Sequence, residues 1–176
     1  GKIVLLAGEQ DTYSYMVRYT HDGLRDTSFG VNGKIVTDPN DHYALLDVAV
    51  QDDGKILAAG ESYRGELGGA YFGLLFRYTE NGSYDTSFGE GGKVITSFDG
   101  ARVSLLNLII QKDKQIIATG GYSLVNNIDT GSGLIIKYNK DGTYNEHFGI
   151  YGKIFPIANN DKAPIIQEDG KLVVLE

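Results

Sequence analysis

Apolar and polar residues alternate along short stretches of the chain with the period of two that is typical of a half-buried β-strand. In one such stretch, Leu46, Val48 and Val50 would share one face of a strand, and the residues between them would share the other. Apolar residues at helical spacing are absent from the sequence. The pattern therefore predicts an all-β protein.

Turn signals separate these stretches and divide the chain into units of four strands. In the central unit, we expect strands at about 46–51, 55–60, 72–79 and 93–98. The dipeptides Asp53-Gly54 and Asn81-Gly82 supply the positive φ that tight hairpin turns require. The four strands should therefore follow one another as antiparallel hairpins.

The same unit recurs along the chain at an interval of about sixty residues. One signature begins at Arg18, Arg77 and Lys137, which are 59 and 60 residues apart. A second signature, the Asp-Gly-Lys hairpin followed by apolar residues, recurs in phase with the first. A fixed period of this kind indicates stacked repeat units that share a continuous core. The positions that recur after the first turn are Asp26, Phe29, Gly30, Asp85, Phe88, Gly89, Asn145, Phe148 and Gly149.

Four antiparallel strands in each sixty-residue unit are the pattern of a β-propeller blade. We predict an all-β fold of about three such blades, which form an open arc or part of a ring. One blade cannot bury both of its faces, so we interpret Phe29, Phe88 and Phe148 as wedges between neighbouring blades. The expected boundaries are a partial blade at 1–38, blades at 39–98 and 99–157, and a partial blade at 158–176.

The number of blades bears on assembly. Closed propellers typically contain four to eight blades. A ring would therefore need either a second copy of this chain or further blades of a longer parent protein. In the last unit, the segment Asp161–Pro164 stands where the first strand should begin. Proline removes a hydrogen-bond donor from a sheet. We expect an edge or a boundary there.

The Tyr-x-x-x-Gly-x-x-Asp-x-x-Phe-Gly-x-x-Gly-Lys core and the Asp-Gly-Lys-Ile hairpin resemble the delta-sixty repeat, a bacterial β-propeller repeat of large exported proteins. The resemblance covers nearly the whole chain. It implies an extracellular or cell-surface setting and a binding or structural role. It carries no catalytic residues onto this sequence. The third copy departs from the pattern, because Asn145-Glu146-His147 replaces Asp-Thr-Ser.

Composition narrows the range of partners. The net charge of −7 argues against nucleic acid and against an anionic membrane surface, since both require a basic face. Cysteine is absent, which excludes disulfides and thiolate zinc sites. No apolar run approaches the ~20 residues that span a bilayer. The chain opens without methionine and without a visible signal peptide, so we expect its native start to lie upstream.

Few residues suggest a catalytic, metal-binding or anion-binding role. We expect Asp26, Asp85 and Asn145 to cap tight turns, with calcium ligation as the alternative. Arg18, Arg77 and Lys137 should lie over aromatic rings or pair with the recurring acids, with anion binding as the alternative. The segment 129–133 faintly resembles a metal loop and is interpreted as a turn. No catalytic residue, metal or cofactor is predicted, and the histidines that lack a motif partner are His21, His42 and His147.

The remaining candidates are tyrosines in the variable loops between the second and third strands of each unit. Tyrosine suits stacking on sugar rings or anchoring a protein contact, although it also covers loop edges. We therefore expect a non-catalytic module that acts as a scaffold or protein-interaction surface. A lectin-like propeller is the first alternative and a propeller hydrolase fragment that uses Asp47 and Glu61 is the second. The candidate ligand-binding residues are Tyr13, Tyr15, Tyr63, Tyr71 and Tyr122.

Overall fold

The computed structural model describes residues 1–9, 13–38, 42–64, 70–98, 100–124, 127–156, 165–167 and 171–173. Every regular element in these ranges is a β-strand. The strands are β1 (Ile3–Glu9), β2 (Tyr13–Tyr19), β3 (Lys34–Val36), β4 (Tyr43–Val50), β5 (Ile56–Arg64), β6 (Ala70–Tyr78), β7 (Lys93–Thr96), β8 (Ala101–Ile110), β9 (Ile116–Leu124), β10 (Asn127–Tyr138), β11 (Lys153–Ile154), β12 (Ile165–Ile166) and β13 (Leu172–Val173).

The strands form antiparallel meanders in which each strand pairs with its neighbour in sequence. Sheet 1 contains β1–β3, sheet 2 contains β4–β7, sheet 3 contains β8–β11, and β12 and β13 form a terminal hairpin. The four strands predicted for the central unit are those of sheet 2. The predicted fold class is confirmed, since the described residues are all-β and their four-stranded sheets have the strand order of propeller blades.

The hairpin turns form where the sequence places them. Between β4 and β5, the amide of Gln51 donates to the carbonyl of Lys55 at 2.8 Å, and Gly54 adopts a φ of 79°. At the matching position between β8 and β9, Lys114 adopts a φ of 66°. This hairpin therefore keeps the turn geometry although Lys114 stands in place of the glycine.

A β-bulge interrupts β4, the first or inner strand of sheet 2, and the alternation of apolar residues did not predict it. The pairing of β4 with β5 shifts register between Leu45 and Asp47. Leu45 is consequently buried, whereas 43% of Leu46 and 52% of Val50 are exposed. The prediction that Leu46, Val48 and Val50 share a face is wrong for Leu46, which is the extra residue of the bulge. Val48 and Val50 pair with Ala58 and Ile56 and still share one face.

The bulge explains a glycine that recurs at the centre of each second strand. A Cβ at Gly60 would collide with the carbonyl oxygen of Ala44 and would lie 2.8 Å from the Cα of Leu45. Sheet 3 repeats the bulge, and Gly120 faces it in the same way against Ser104. Glycine is therefore required opposite the bulge by lack of space rather than by its φ.

Sheet 2 is buried on both faces, and each face contributes to a separate core. Alternate residues of β5 divide between them: Ile56 and Ala58 face sheet 1, while Leu57 and Ala59 face sheet 3. The first core contains Met16, Phe29, Tyr43, Leu45, Ile56, Ala58, Leu74, Phe76 and Tyr78. The second core contains Leu57, Ala59, Leu75, Phe88, Val103, Leu105, Leu108, Ile116, Ala118, Leu134, Ile136 and Tyr138.

Two of the phenylalanines predicted as wedges place their side chains in the core between one sheet and the next. Phe29 lies between β2 and β3 of sheet 1 and Phe88 lies between β6 and β7 of sheet 2, and both are fully buried in the adjoining core. Phe148, in contrast, is only half-buried. The boundary expected at Asp161–Pro164 falls outside the described residues. Among those residues, no helix is long and apolar enough to cross a membrane.

Candidate functional site

The recurring signature of the sequence builds the junction between one sheet and the next. At the end of β2, Arg18 donates from Nε to Oδ2 of Asp26 at 2.8 Å. The guanidinium carbon of Arg18 also lies 4.4 Å from the ring centroid of Phe29. The predicted pairing of the recurring cation with the recurring acid is confirmed, and the ring beneath the cation is that of the wedge rather than that of Tyr19.

Asp26 uses both carboxylate oxygens within this junction. Oδ1 accepts hydrogen bonds from the Ser28 hydroxyl at 2.6 Å and the Ser28 amide at 3.2 Å, and Nζ of Lys2 lies 3.2 Å from Oδ2. These interactions, led by the Ser28 hydroxyl, hold the pKa of Asp26 well below its usual range. Asp26 therefore caps its turn as expected, and it also forms an ion pair with Lys2 that was not predicted.

The next sheet completes the junction with main-chain groups. Nη1 of Arg18 donates to the carbonyl of Glu80, and the amide of Gly30 donates to the carbonyl of Asn81 at 2.9 Å. Both carbonyls belong to the turn between β6 and β7. The signature residues of one unit thus hydrogen-bond to main-chain carbonyls in the turn of the following unit, and every residue has such a carbonyl.

Glycine in that turn allows close packing. A Cβ at Gly82 would lie 3.1 Å from Cε2 of Phe29 and 2.8 Å from Cδ1 of Ile35. Gly82 also adopts a φ of 91°, which disfavours other residues. The Asn-Gly pair, chosen from the sequence as a turn signal, is therefore also the contact surface between sheets.

The junction between sheets 2 and 3 repeats these contacts. Nε of Arg77 donates to Oδ2 of Asp85 at 2.7 Å, and the arginine lies 4.5 Å from the ring centroid of Phe88. The amide of Gly89 donates to the carbonyl of Asp141 at 2.8 Å. Nζ of Lys55 lies 2.8 Å from Asp85, as Lys2 does near Asp26. The repeated positions therefore define a structural device that is used twice.

The third copy of the signature keeps its cation but lacks the acid of the first two copies. Asn145 replaces the acid and accepts a hydrogen bond from the amide of His147 at 3.2 Å, while Lys137 lies 5.9 Å from the ring centroid of Phe148. Gln115 stands at the position of Lys55. The acid and its lysine partner are thus absent together, which preserves the local charge balance.

Asp47 is a junction residue that the sequence analysis considered only as a catalytic carboxylate. Its Oδ2 accepts a hydrogen bond from the amide of Leu108 at 2.7 Å, and Oδ1 accepts one from the amide of Val48 at 2.8 Å. Asp47 thereby links the bulges of two neighbouring inner strands. Its recurrence as Asn107, sixty positions later, was the available signal.

The five candidate tyrosines lie in strands, so the prediction that they occupy loops is wrong. Tyr13 and Tyr15 are in β2, Tyr63 is in β5, Tyr71 is in β6 and Tyr122 is in β9. The second and third strands of each unit pair far beyond their apolar centres, and Tyr63 pairs with Tyr71. The segment 129–133, interpreted as a turn, belongs to β10.

The described tyrosine rings contact neighbours of the same fold. Nζ of Lys34 lies 3.8 Å from the ring centroid of Tyr15, and the guanidinium carbon of Arg102 lies 4.6 Å from that of Tyr71. Tyr122 packs edge-to-face against two aromatic rings, those of Phe98 and Phe155. The side chains of Tyr13 and Tyr63 fall outside the described part of the structure. The tyrosines are thus distributed over three sheets rather than gathered into one site.

The described structure contains a groove at the first junction and a small cavity in sheet 2. A groove of about 400 Å³ at the first junction is lined by residues that include Lys2, Arg18, Ser28 and Glu80. A cavity of about 50 Å³ lies beside Tyr43 in sheet 2. In the ranges described, no three or more His, Cys, Asp or Glu residues are grouped so that they could hold a metal ion. His21, His42 and His147 are exposed.

Meander sheets that stack through a repeated junction define the chain as a protein of β-propeller type. A family model described as a domain of unknown function (DUF5122) β-propeller matches residues 51–88. The match runs from the hairpin turn after β4 to the wedge residue Phe88, so it contains the Asp-Gly-Lys hairpin and the signature that begins at Arg77 as far as its phenylalanine. A search of curated proteins found no match.

Proposed function

We propose that this chain is a non-catalytic β-propeller repeat module of a bacterial surface or secreted protein. It would act as a scaffold or as a protein-interaction surface. The delta-sixty repeat, which the sequence resembles, supplies the extracellular setting of this proposal. The acidic net charge of −7 fits a protein partner better than nucleic acid.

One observation carries the proposal: the polar side chains that recur in the sequence are used within the junctions. Arg77, Asp85 and Ser87 hydrogen-bond to one another and to the next sheet. The carboxylate of Asp47 is likewise occupied by two backbone amides. A repeated residue that is already used for stacking needs no further role to explain its recurrence.

Location is tested by protease treatment of intact cells that express the full parent protein. An antibody against this chain should show that the chain is digested while a cytoplasmic marker remains intact. Protection of the chain until the cells are lysed would contradict the proposed setting. The same antibody applied to the culture medium distinguishes a secreted protein from an anchored one.

The non-catalytic part is tested with chromogenic lactones and glycosides. We expect no turnover above that of a heat-denatured sample. Turnover that Asp47→Asn abolishes, and that Asp52→Asn at an exposed turn leaves unchanged, would establish a hydrolase and contradict the proposal.

A lectin-like role is the second candidate, and the aromatic cluster of Phe98, Tyr122 and Phe155 favours it. The rings lie 5.1–6.3 Å apart between centroids, and 41% of Phe155 is exposed. An exposed aromatic face of this kind can stack on a sugar ring. A glycan array on which Tyr122→Ala loses signal, while Tyr151→Ala on the exposed turn keeps it, would support this candidate. A blank array with the unaltered chain would remove it.

A further inference from the structure

The junction between sheets 2 and 3 contains a cluster of three aromatic rings. Phe98 follows β7 of sheet 2, whereas Tyr122 lies in β9 and Phe155 follows β11 of sheet 3. Phe98 and Tyr122 are half-buried, and 41% of Phe155 is exposed. Both sheets have four strands, so each contributes a complete face to this junction. The aromatic cluster therefore reaches solvent between two fully formed sheets.

The aromatic cluster is specific to this junction and does not belong to the repeat. At the same repeat positions, the first junction has Pro39, Ser62 and Ile95. A cavity of about 50 Å³ is lined there by residues that include Ser62 and Ile95. Because sheets 1 and 2 stack without these rings, stacking alone does not explain the aromatic cluster at the second junction.

Arg102 of β8 is a cation without a counter-ion. Its guanidinium carbon lies 4.6 Å from the ring centroid of Tyr71 in sheet 2, and its Nε is buried without a hydrogen-bond partner. The guanidinium forms no ion pair with any residue that the structure describes, whereas Arg18 and Arg77 each pair with an aspartate. A charge that is partly withdrawn from water and lacks a partner favours binding of an anion.

Arg102 and the aromatic cluster occupy neighbouring positions. Val103, the next residue along β8, pairs with Tyr122 across the sheet. Gly73, two residues after Tyr71 in β6, lies against Val103, since a Cβ at Gly73 would lie 2.9 Å from its Cγ1. The contact of Arg102 with Tyr71 is therefore adjacent to the ring of the aromatic cluster that β9 supplies.

A second cation borders the aromatic cluster. Nζ of Lys153 lies 5.8 Å from the ring centroid of Phe98 and 3.8 Å from that of Tyr144. It donates to the carbonyl of Tyr151, and it forms no ion pair with an acid in the described ranges. Burial lowers the pKa of Lys153, as expected for an ammonium group that no anion compensates.

We propose that the junction between sheets 2 and 3 binds an acidic sugar. The sugar ring would stack on the aromatic cluster, and its carboxylate or sulfate would accept hydrogen bonds from the Nη groups of Arg102. Aromatic rings suit the apolar face of a sugar, and the planar fork of arginine suits an oxyanion. This inference rests on the lectin-like candidate and names its class of sugar.

The net charge of the chain makes the two uncompensated cations informative. A protein with a net charge of −7 does not attract anions in general. Cations that lack acidic partners at one junction therefore indicate a local and specific anion. A protein carboxylate would also satisfy Arg102, but it would leave the exposed ring of Phe155 unexplained.

A glycan array that pairs each acidic glycan with its neutral counterpart tests the inference on the whole chain. We expect glycans that end in glucuronic acid or in a sulfated hexose to bind at least about tenfold more tightly than those that end in the unmodified hexose, because hydrogen bonds to charged groups are the stronger ones. The uronate and sulfate arms show which anion is preferred. Equal binding of acidic and neutral glycans overturns the inference and leaves the lectin-like candidate in place.

Variants of Arg102 locate the anion. Arg102→Gln should weaken binding of the acidic glycans at least about tenfold, to the level of the neutral ones. Arg102→Lys keeps the charge without the fork and should lose less. Arg25→Gln, at an exposed position of sheet 1, is the matched control and should bind as the unaltered chain does. Circular dichroism checks that each variant is folded. A preference for acidic glycans that persists in folded Arg102→Gln overturns the assignment.

A measurement on the unaltered chain needs no variant to fold. The buried Nε–H of Arg102 should exchange slowly with water and give a signal in ¹H–¹⁵N spectra. Glucuronate should shift this signal, whereas glucose at the same concentration should not. A glutamate-rich peptide that shifts it as strongly as glucuronate overturns the assignment to a sugar.

Failure of this inference can be told apart from failure of the proposed function. A blank array, together with an unshifted Arg102 signal, overturns the acidic-sugar site and the lectin-like candidate at once. The scaffold role in a surface protein is measured independently by protease treatment of intact cells, so it stands or falls on that result.

Discussion

Arg77 and Asp85 form a buried ion pair in which Nε of the arginine lies 2.7 Å from Oδ2 of the carboxylate. The same arginine donates from Nη1 to the carbonyl of Lys140 in the next sheet. The aspartate therefore orients the group that joins two sheets. The ion pair is thus part of the stacking interface rather than a reactive site.

Removing the charge of Asp85 should destabilise the fold. Asp85→Asn leaves Arg77 and Lys55 without their anion, and we expect the free energy of unfolding to fall by about 1–2 kcal/mol after allowance for solvent screening. Urea unfolding followed by circular dichroism measures the change. Asp52→Asn, at an exposed turn, is the control and should change stability by less than about 0.5 kcal/mol.

The third copy of the signature suggests a second change that should offset the loss of the Asp85 charge. Lys55→Gln added to Asp85→Asn reproduces the pair found at Gln115 and Asn145. We expect the double variant to be more stable than the sum of the two single changes predicts, because the unmatched lysine is removed with its partner. Strict additivity in the double-mutant cycle would show that Lys55 and Asp85 are not coupled.

Acid should weaken the junctions. Burial raises the pKa of Asp85, but the hydrogen bonds from Lys55 and Ser87 outweigh this effect and hold the pKa well below its usual range. The pKa of Asp26 is also held well below its usual range. Because the pKa in the folded state lies below the unfolded value of about 3.9, both groups stabilise the fold above about pH 5 and lose that contribution as the pH falls.

Thermal unfolding between neutral pH and pH 3 measures this dependence. The unaltered chain should lose stability steadily below about pH 5. Asp85→Asn should show a shallower decline, since one of the linked groups no longer titrates. Identical acid profiles for the two proteins would contradict the assignment of the linkage to this carboxylate.

Gly60→Ala should be strongly destabilising although alanine is a small residue. Its Cβ would collide with the carbonyl of Ala44 across the bulge, and backbone cannot move as a flexible side chain can. We expect a loss of about 3 kcal/mol in urea unfolding. Gly121→Ala is the control, because its Cβ would make an ordinary contact 3.6 Å from the carbonyl oxygen of Ser132. Equal losses for the two variants would refute the role of the bulge.

The two wedges Phe88 and Phe148 should differ in energy. Phe88 is fully buried, so Phe88→Ala should cost about 3–5 kcal/mol of unfolding free energy. Phe148 is half-buried, and Phe148→Ala should cost less than about 2 kcal/mol in the monomer. Denaturant titration at low chain concentration compares them. Equal costs there would indicate that Phe148 is covered within a single chain.

Local pattern was sufficient for much of the fold. The interval of about sixty residues, the four strands of the central unit and the turns at Gly54 and Gly82 were all predicted, because a strand or a tight turn depends on neighbouring residues. The pairing of Arg18 with Asp26 was also predicted, since the two positions recur together eight residues apart. The loop tyrosines were misplaced because strand pairing at the end of a hairpin is set by the partner strand, and Gly-rich or polar segments carry no apolar alternation to reveal it.

Repetition, alternation and turn residues are properties of side-chain identity, so the repeated all-β character of this protein could be predicted from its residues alone. The way in which the units join became visible only in the folded chain. The bulge opposite Gly60 and the carbonyls of Glu80 and Asn81 that receive Arg18 and Gly30 involve main-chain groups, which are the same in every residue. Recurring residues such as Gly60 and Arg18 mark one side of each contact, but the main-chain group on the other side depends on which segments the fold brings together.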